Sequence, residues 1–260
     1  MQIPAYLVIG TPTSGRRGVV WDAVERGSME GEFSALFVSS GETPSDFDAA
    51  IAGADNAGII KYSDAADAAE KLGALDPRKI SRVFYLADSS KSLADEIESF
   101  KGLACGGKIR LARIWSVVDC SMAEKFPKQT AKYVDMLSHF ADCVLLSRRF
   151  GASGRSVEEL RAQWEKMRRP HVVEYVDKNF RTKNPIELLI DEARRISMFF
   201  DEFDPVDELE LDAENLPDEP FSLERKPDPY LARLPGGMRA DPVENPAQYA
   251  LKARMMENEK

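Results

Sequence analysis

Six short, continuous apolar runs limit what this chain can fold into. They lie at residues 5–9, 35–38, 83–86, 114–118, 143–146 and 172–176, and each is rich in β-branched or aromatic residues. Unbroken rather than alternating hydrophobicity is what a strand needs when both its faces are covered. Segments of helical spacing lie between the runs. Leu93, Ile97 and Phe100 follow a cap-like Ser92, and Ser156 with Glu159 forms a capping box ahead of Val157, Leu160, Trp164 and Met167. Asn184-Pro185 opens a third stripe of Leu189, Ala193, Ile196 and Phe200. Strands alternating with helices predict an α/β fold, a doubly wound and mainly parallel sheet, over residues 1–203.

The charge divides the chain a second way. Of 44 acidic and 35 basic residues, 16 and 7 fall within 201–260, which leaves 28 of each in the first 200 residues. The whole net charge of −9 therefore sits in the last sixty residues, together with eight of the fifteen prolines. Residues 201–220 hold ten acids and no base. Residues 204–260 are expected to be an acidic, proline-rich tail, flexible or laid as a strap on the body, with Tyr230, Leu231, Leu234 and Met238 as anchors. A neutral body with an acidic tail argues against a nucleic-acid partner. No apolar run approaches the ~20 residues of a membrane span. The N-terminus has no secretory pattern, and Cys105, Cys120 and Cys143 form no CxxC pair, so a reduced, cytoplasmic protein is expected.

One motif carries chemistry. The first strand runs into Gly10-Thr11-Pro12-Thr13-Ser14-Gly15-Arg16-Arg17 and then a helix-like segment. The glycine spacing and context match a phosphate-binding loop, G-x-x-x-x-G-K-S/T, which aims backbone N–H groups and a helix N-terminus at phosphate oxygens. A plain tight turn is the other reading of two glycines five residues apart. The lysine position holds Arg16, whose planar fork does not replace a compact ammonium, and the magnesium-hydroxyl position holds Arg17, which offers no oxygen. Ser14, Gly10, Gly15, Arg16 and Arg17, with Asp88 across the sheet, are the candidate phosphate site.

The order of the remaining segments resembles the CobW/UreG/HypB group of metallochaperone GTPases, most nearly CobW, over roughly residues 3–200. Ser39-Ser40-Gly41-Glu42, with Asp46 and Asp48 beyond, stands where that family has N-E-x-G and a following aspartate. Gly58-Ile59-Ile60-Lys61-Tyr62 stands near its G-C-x-C-C metal site without any thiol. Ala87-Asp88-Ser89-Ser90-Lys91 matches its E-S/T-S/T-G segment, with Lys91 in place of the glycine. Trp115 to Asp119 resembles its V-x-V-V-D strand, and Ala141-Asp142-Cys143-Val144-Leu145-Leu146-Ser147-Arg148-Arg149-Phe150 its A-D-x-I-L-L-N-K-x-D. Phe150 has no carboxylate for a guanine base.

The resemblance implies a P-loop NTPase fold in a metal-homeostasis or metallocofactor context. The joint departures point to a degenerate GTPase without catalytic residues. It would serve as an interaction or regulatory protein with a protein partner, such as an intact CobW-type relative. No resident cofactor or metal is expected. The competing reading is a nucleotide or phosphate-ester binder in which Arg16 and Arg17 clamp GTP or ATP, and Asp88 serves the magnesium. His139, His171 and the three cysteines read as packing residues. Arg148, Arg149, Arg155, Lys166, Arg168 and Arg169 read as a solvated basic surface or as a counterpart to the acidic tail.

Overall fold

A computed structural model describes residues 2–201 and 227–259. The described elements run β1 (Ile3–Gly10), α1 (Arg16–Gly27), β2 (Ser34–Ser39), α2 (Phe47–Ala52), β3 (Ala57–Tyr62), α3 (Ala65–Gly73), β4 (Arg82–Leu86) and α4 (Leu93–Cys105). They continue through β5 (Ile109–Asp119), α5 (Cys120–Lys125), α6 (Pro127–Phe140), β6 (Cys143–Ser147), α7 (Gly154–Lys166), β7 (Val172–Tyr175), α8 (Pro185–Leu188) and α9 (Ala247–Asn258). Seven strands form one sheet in the order β3-β2-β4-β1-β5-β6-β7, and every pairing is parallel. This is the doubly wound, P-loop NTPase-like α/β architecture expected from the alternating segments. With β1 central, β4 inserted between it and β2, and β5 on its other side, the carboxyl ends of β1, β4 and β5 meet where such sheets bind ligands.

Both faces of the sheet are packed. Beneath α1, Tyr6, Phe84 and Trp115 meet across three adjacent strands with ring centroids 5.1–5.4 Å apart, Tyr6 stacked on Phe84 and Trp115 tilted against both. Val19, Val20, Ala23 and Val24 of α1 close over them, and all four are buried. On the other face Tyr85 meets Tyr62 at 5.1 Å and Phe100 of α4 at 5.4 Å. These buried rows are the continuous runs seen in the sequence.

Three local readings need correction. β3 was not among the expected strands. It pairs only with β2, at the sheet edge, and its Lys61 is exposed, so it never needed an unbroken apolar run. The helix that starts at Pro185 ends at Leu188 rather than continuing to Phe200. Side chains of the body serve the following backbone instead. The Asp142 carboxylate accepts from the N–H groups of Arg194 (2.6 Å) and Arg195 (3.0 Å), and Arg113 donates to the carbonyls of Glu187 (2.7 Å) and Glu192 (3.1 Å). Finally, α7 is capped by Ser153, which accepts from the Ser156 N–H at 3.2 Å, so the cap lies one turn earlier than Ser156.

The chain forms two compact units, Met1–Ile196 with Val243–Lys260, and Ser197–Pro242. In the smaller unit, Asp228 accepts from the Ser197 hydroxyl and the Tyr230 N–H, and Leu231 is buried while Leu234 and Met238 are exposed. All but the first residue of the ten-acid run expected at 201–220 lies outside the described residues. Within the stretch read as tail, the structure adds α9, which packs on α5 through the buried Ala250 and Ala253 and sets Tyr249 against Phe126 at 5.2 Å. Among the described residues no helix is long and apolar enough to cross a membrane.

The small size of Ala253 is what lets α9 approach. Ala253→Leu overpacks this seam and is expected to lower stability by about 1–3 kcal/mol in urea unfolding. An unchanged midpoint would mean that α9 does not pack there.

Candidate functional site

The loop after β1 is a rigid turn. Gly10 has φ 148°, and a Cβ there would come within 2.5 Å of the Val117 carbonyl oxygen. The Ser14 hydroxyl donates to the Thr11 carbonyl at 2.8 Å, and Thr13 donates to Asp119 at 2.9 Å, which ties the loop to the end of β5. Gly15, in the left-handed region at φ 86°, is the N-cap of α1.

Arg16 and Arg17 open the helix and are both buried. Arg16 donates to the Ala87 carbonyl and to Glu42. Arg17 meets both oxygens of Asp48, at 3.0 and 2.8 Å, and the second oxygen of Glu42 at 3.2 Å. Glu42 also accepts from the Ser89 N–H (3.1 Å) and hydroxyl (3.0 Å). Two guanidinium groups thus face two carboxylates with their hydrogen bonds largely made, the condition under which buried charges persist. Burial alone would raise the Glu42 carboxyl, but the Arg16 charge, the Ser89 N–H and the Arg17 charge outweigh it and hold it below its ordinary value.

Asp88, beyond β4, accepts from Ser39 (2.8 Å) and from the Ser90 hydroxyl (2.6 Å) and N–H (3.0 Å), with the Lys91 ammonium at 3.6 Å. These contacts overcome its burial and keep it readily ionised. Its own N–H donates to Glu96 at 2.7 Å, and burial pushes the Glu96 carboxyl up.

Phe180 covers the loop. A Cβ on Gly15 would lie 1.9 Å from the Phe180 ring, and one on Gly18 would lie 2.6 Å from the Phe180 Cβ, so both positions need glycine. Phe180 itself sits at φ 61°, a strained value for a bulky residue. It is held there by a turn in which Asp177 accepts from the N–H groups of Asn179 (2.8 Å) and Arg181 (2.9 Å). Phe47 meets it edge-on at 5.7 Å.

The far side of the site is closed by Arg148, at φ 53°, whose guanidinium contacts Glu257 of α9 (2.7 Å), the Thr13 carbonyl (3.4 Å) and Asp119 (3.8 Å). Burial pushes the Asp119 carboxyl up. Lys125 adds a bond to the Ala253 carbonyl at 2.9 Å and lies 3.6 Å from Glu257. At the other end of this segment, Asn245 donates to the carbonyls of Ser89 (2.9 Å) and Lys91 (2.8 Å). The chain before and within α9 therefore bridges the loops after β4 and β6. A cleft of about 570 Å³ remains above the glycine loop, bounded by Phe150, Phe180, Lys178, Leu251 and Arg254.

The structure brings the sequence-derived candidates together. Gly10, Ser14 and Gly15 shape the turn from β1 into α1, Arg16 and Arg17 open that helix, and Arg16 reaches the residue before Asp88. Glu42, Asp48, Phe180, Glu257 and Asn245 were not anticipated as site residues. Only Glu42 and Asp48 carried a signal, being acids after the second strand opposite two arginines with no other role. The basic cluster disperses: Arg149 stacks on Tyr175 at 4.5 Å, Arg155 pairs with Glu159 at 2.7 Å and Arg169 with Asp135 at 2.7 Å. His171 packs edge-on against Trp164 at 5.2 Å, and burial lowers it to about 4. Burial raises the Cys120 and Cys143 thiols to about 12, whereas Cys105 is exposed.

These residues do not fit a magnesium nucleotide of the usual kind. Arg17 presents no oxygen ligand, both guanidinium groups are engaged by carboxylates, and the Phe180 ring takes the space over Gly15. Among the described residues no three His, Cys, Asp or Glu side chains converge as a metal site.

No protein-family model matches the chain. No curated protein matches it. Solved structures similar to it include the crystal structure of Zn(II)-bound YjiA GTPase from E. coli, with 14% identity, a TM-score of 0.44, and coverage of 72% of this chain and 62% of that one. A Zn(II)-bound triple mutant of YjiA GTPase is similar at 16% identity and a TM-score of 0.43, covering 75% of this chain and 65% of that one. The chain therefore spans less than two thirds of either protein.

Glu42 gives this geometry a measurable sign. Its folded-state carboxyl lies below its ordinary value of 4.5, so the stability it supplies is present above about pH 4.5 and is lost as pH falls through the folded value. Glu42→Gln is expected to cost about 3–5 kcal/mol at pH 7, because it leaves buried guanidinium charge short of a partner, and to flatten the acid limb of the stability profile. An unchanged acid limb in urea titrations at several pH values would show that Glu42 is not so held.

Proposed function

We propose that this chain is a non-catalytic interaction or regulatory protein built on a degenerate CobW-like GTPase scaffold. The observation that carries this reading is the internal neutralisation of the glycine loop. Arg16 and Arg17, the groups available to hold phosphate, are engaged by Glu42 and Asp48, so an incoming anion has to compete with two carboxylates already in place. A surface freed from turnover would serve a protein partner, and an intact CobW-type relative is the partner that the family resemblance suggests. Titration with GTP, GDP and ATP, with and without magnesium, is expected to leave the melting temperature unchanged. Binding would raise stability by about 2.7 kcal/mol at a hundredfold excess over Kd. Magnesium-dependent GTP turnover above a heat-killed control would overturn the proposal.

The cleft above the loop favours a second reading, a nucleotide or phosphate-ester binder with Arg16 and Arg17 as the clamp and Asp88 on the metal side. It requires that Arg16→Ala abolish a nucleotide-dependent thermal shift seen in the wild type. The absence of any such shift in the wild type rejects it.

A further inference from the structure

The chain carries a net charge of −9, yet the cleft over the glycine loop is bounded by five basic and only two acidic side chains. Three of the five bases, Arg16, Arg17 and Arg148, are consumed by carboxylates of the fold. The other two are not. Lys178 and Arg254 are exposed at the cleft and have no ion-pair partner among the described residues. Between them the cleft offers apolar surface that the fold leaves open: Phe150 is 62% exposed and Leu251 48%. That surface continues past the cleft, since Met255 lies one helical turn beyond Leu251 on α9 and is 63% exposed. A large exposed aromatic beside further apolar side chains and unpaired cations is the composition of a recognition patch rather than of ordinary solvated surface.

We propose that this cleft and the adjoining face of α9 receive an acidic peptide segment of a protein partner. The carboxylates of the segment meet Lys178 and Arg254, and an apolar side chain inserts among Phe150, Phe180 and Leu251. Charge complementarity sets the sign of the occupant. The run of apolar surface from Phe150 through Leu251 to Met255 sets its shape, because a compact metabolite would end inside the cleft while an extended or helical segment follows the stripe. The occupant needs no opening of the Arg16–Glu42 and Arg17–Asp48 pairs. This inference rests on the non-catalytic reading, in which the space above the loop is free of nucleotide.

The test is selection of short random peptides displayed on phage against the full chain, with parallel selection on the Lys178→Glu/Arg254→Glu double variant and on Phe150→Asp. All three substitutions are at exposed positions, and an unchanged thermal midpoint checks that each variant is folded. The expected enrichment is for peptides with two or more acids flanking an aliphatic or aromatic residue. Synthetic versions of those peptides should bind the wild-type chain more weakly as salt is added, and should weaken about tenfold or more on the charge-reversed chain. Peptides enriched equally on wild type and double variant, or enriched without acids, would overturn the proposal. Wild-type self-association abolished by the double variant would assign the face to a second copy and also overturn it. If GTP or ATP binds and displaces the peptides, the non-catalytic reading falls as well. If nucleotides are silent and no acidic peptide is selected, only the present inference falls.

Discussion

Arg16 and Arg17 are the constraint on which the carboxyl edge of the sheet is organised. Two guanidinium groups at the start of a buried helix demand partners, because an unpaired charge in that position costs far more than a domain can spare. Glu42 from the loop after β2 and Asp48 from the first turn of α2 supply them, and the Ala87 carbonyl and the Ser89 N–H and hydroxyl add the β4 loop to the same cluster. Two chain segments far apart in sequence are thereby fixed to one helix end. A loop shape suited to holding phosphate is used here to hold the protein's own loops.

The other contacts at the edge act in the same direction. Phe180 lies on Gly15 and Gly18, and the strain at its backbone is sustained by the Asp177 turn beneath it. Arg148 joins the glycine loop to α9 through Glu257, while Asn245 joins the start of that segment to the β4 loop. Neither contact involves Arg16 or Arg17. The edge is thus closed by three separate devices: an ion-pair cluster, an aromatic cover and a C-terminal helix. Each acts on a different segment, so the glycine loop is held from three sides at once.

Much of the fold was legible because burial on both faces leaves an unmistakable mark. Residues 5–9, 114–118 and 143–146 are continuous apolar runs, and each became a central strand. β3 lacked that mark because an edge strand with Lys61 in solvent does not need it. The region after Leu188 misled for a different reason. Leu189, Ala193 and Ile196 have helical spacing, yet side chains at Arg113 and Asp142 capture the backbone groups that a helix would have used, and no local pattern reports a partner fifty or more residues away. The site divides in the same manner. Gly10, Gly15, Arg16 and Arg17 stand together in sequence and were readable as a loop, whereas Phe180 and Glu257 reach that loop only through tertiary packing.

The central claim is that the two loop guanidinium groups are already bound by carboxylates and stay bound when phosphate is offered. Nitrogen-detected NMR of the arginine side chains reads this directly, since a guanidinium whose two terminal nitrogens are each held by a fixed acceptor, as in Arg16 and Arg17, shows slowed rotation and separate terminal-nitrogen signals. Resolved signals for Arg16 and Arg17, lost in Glu42→Gln and unmoved by inorganic pyrophosphate or magnesium GTP, are the predicted result. Averaged signals in the free protein, or signals that shift when pyrophosphate is added, would contradict it.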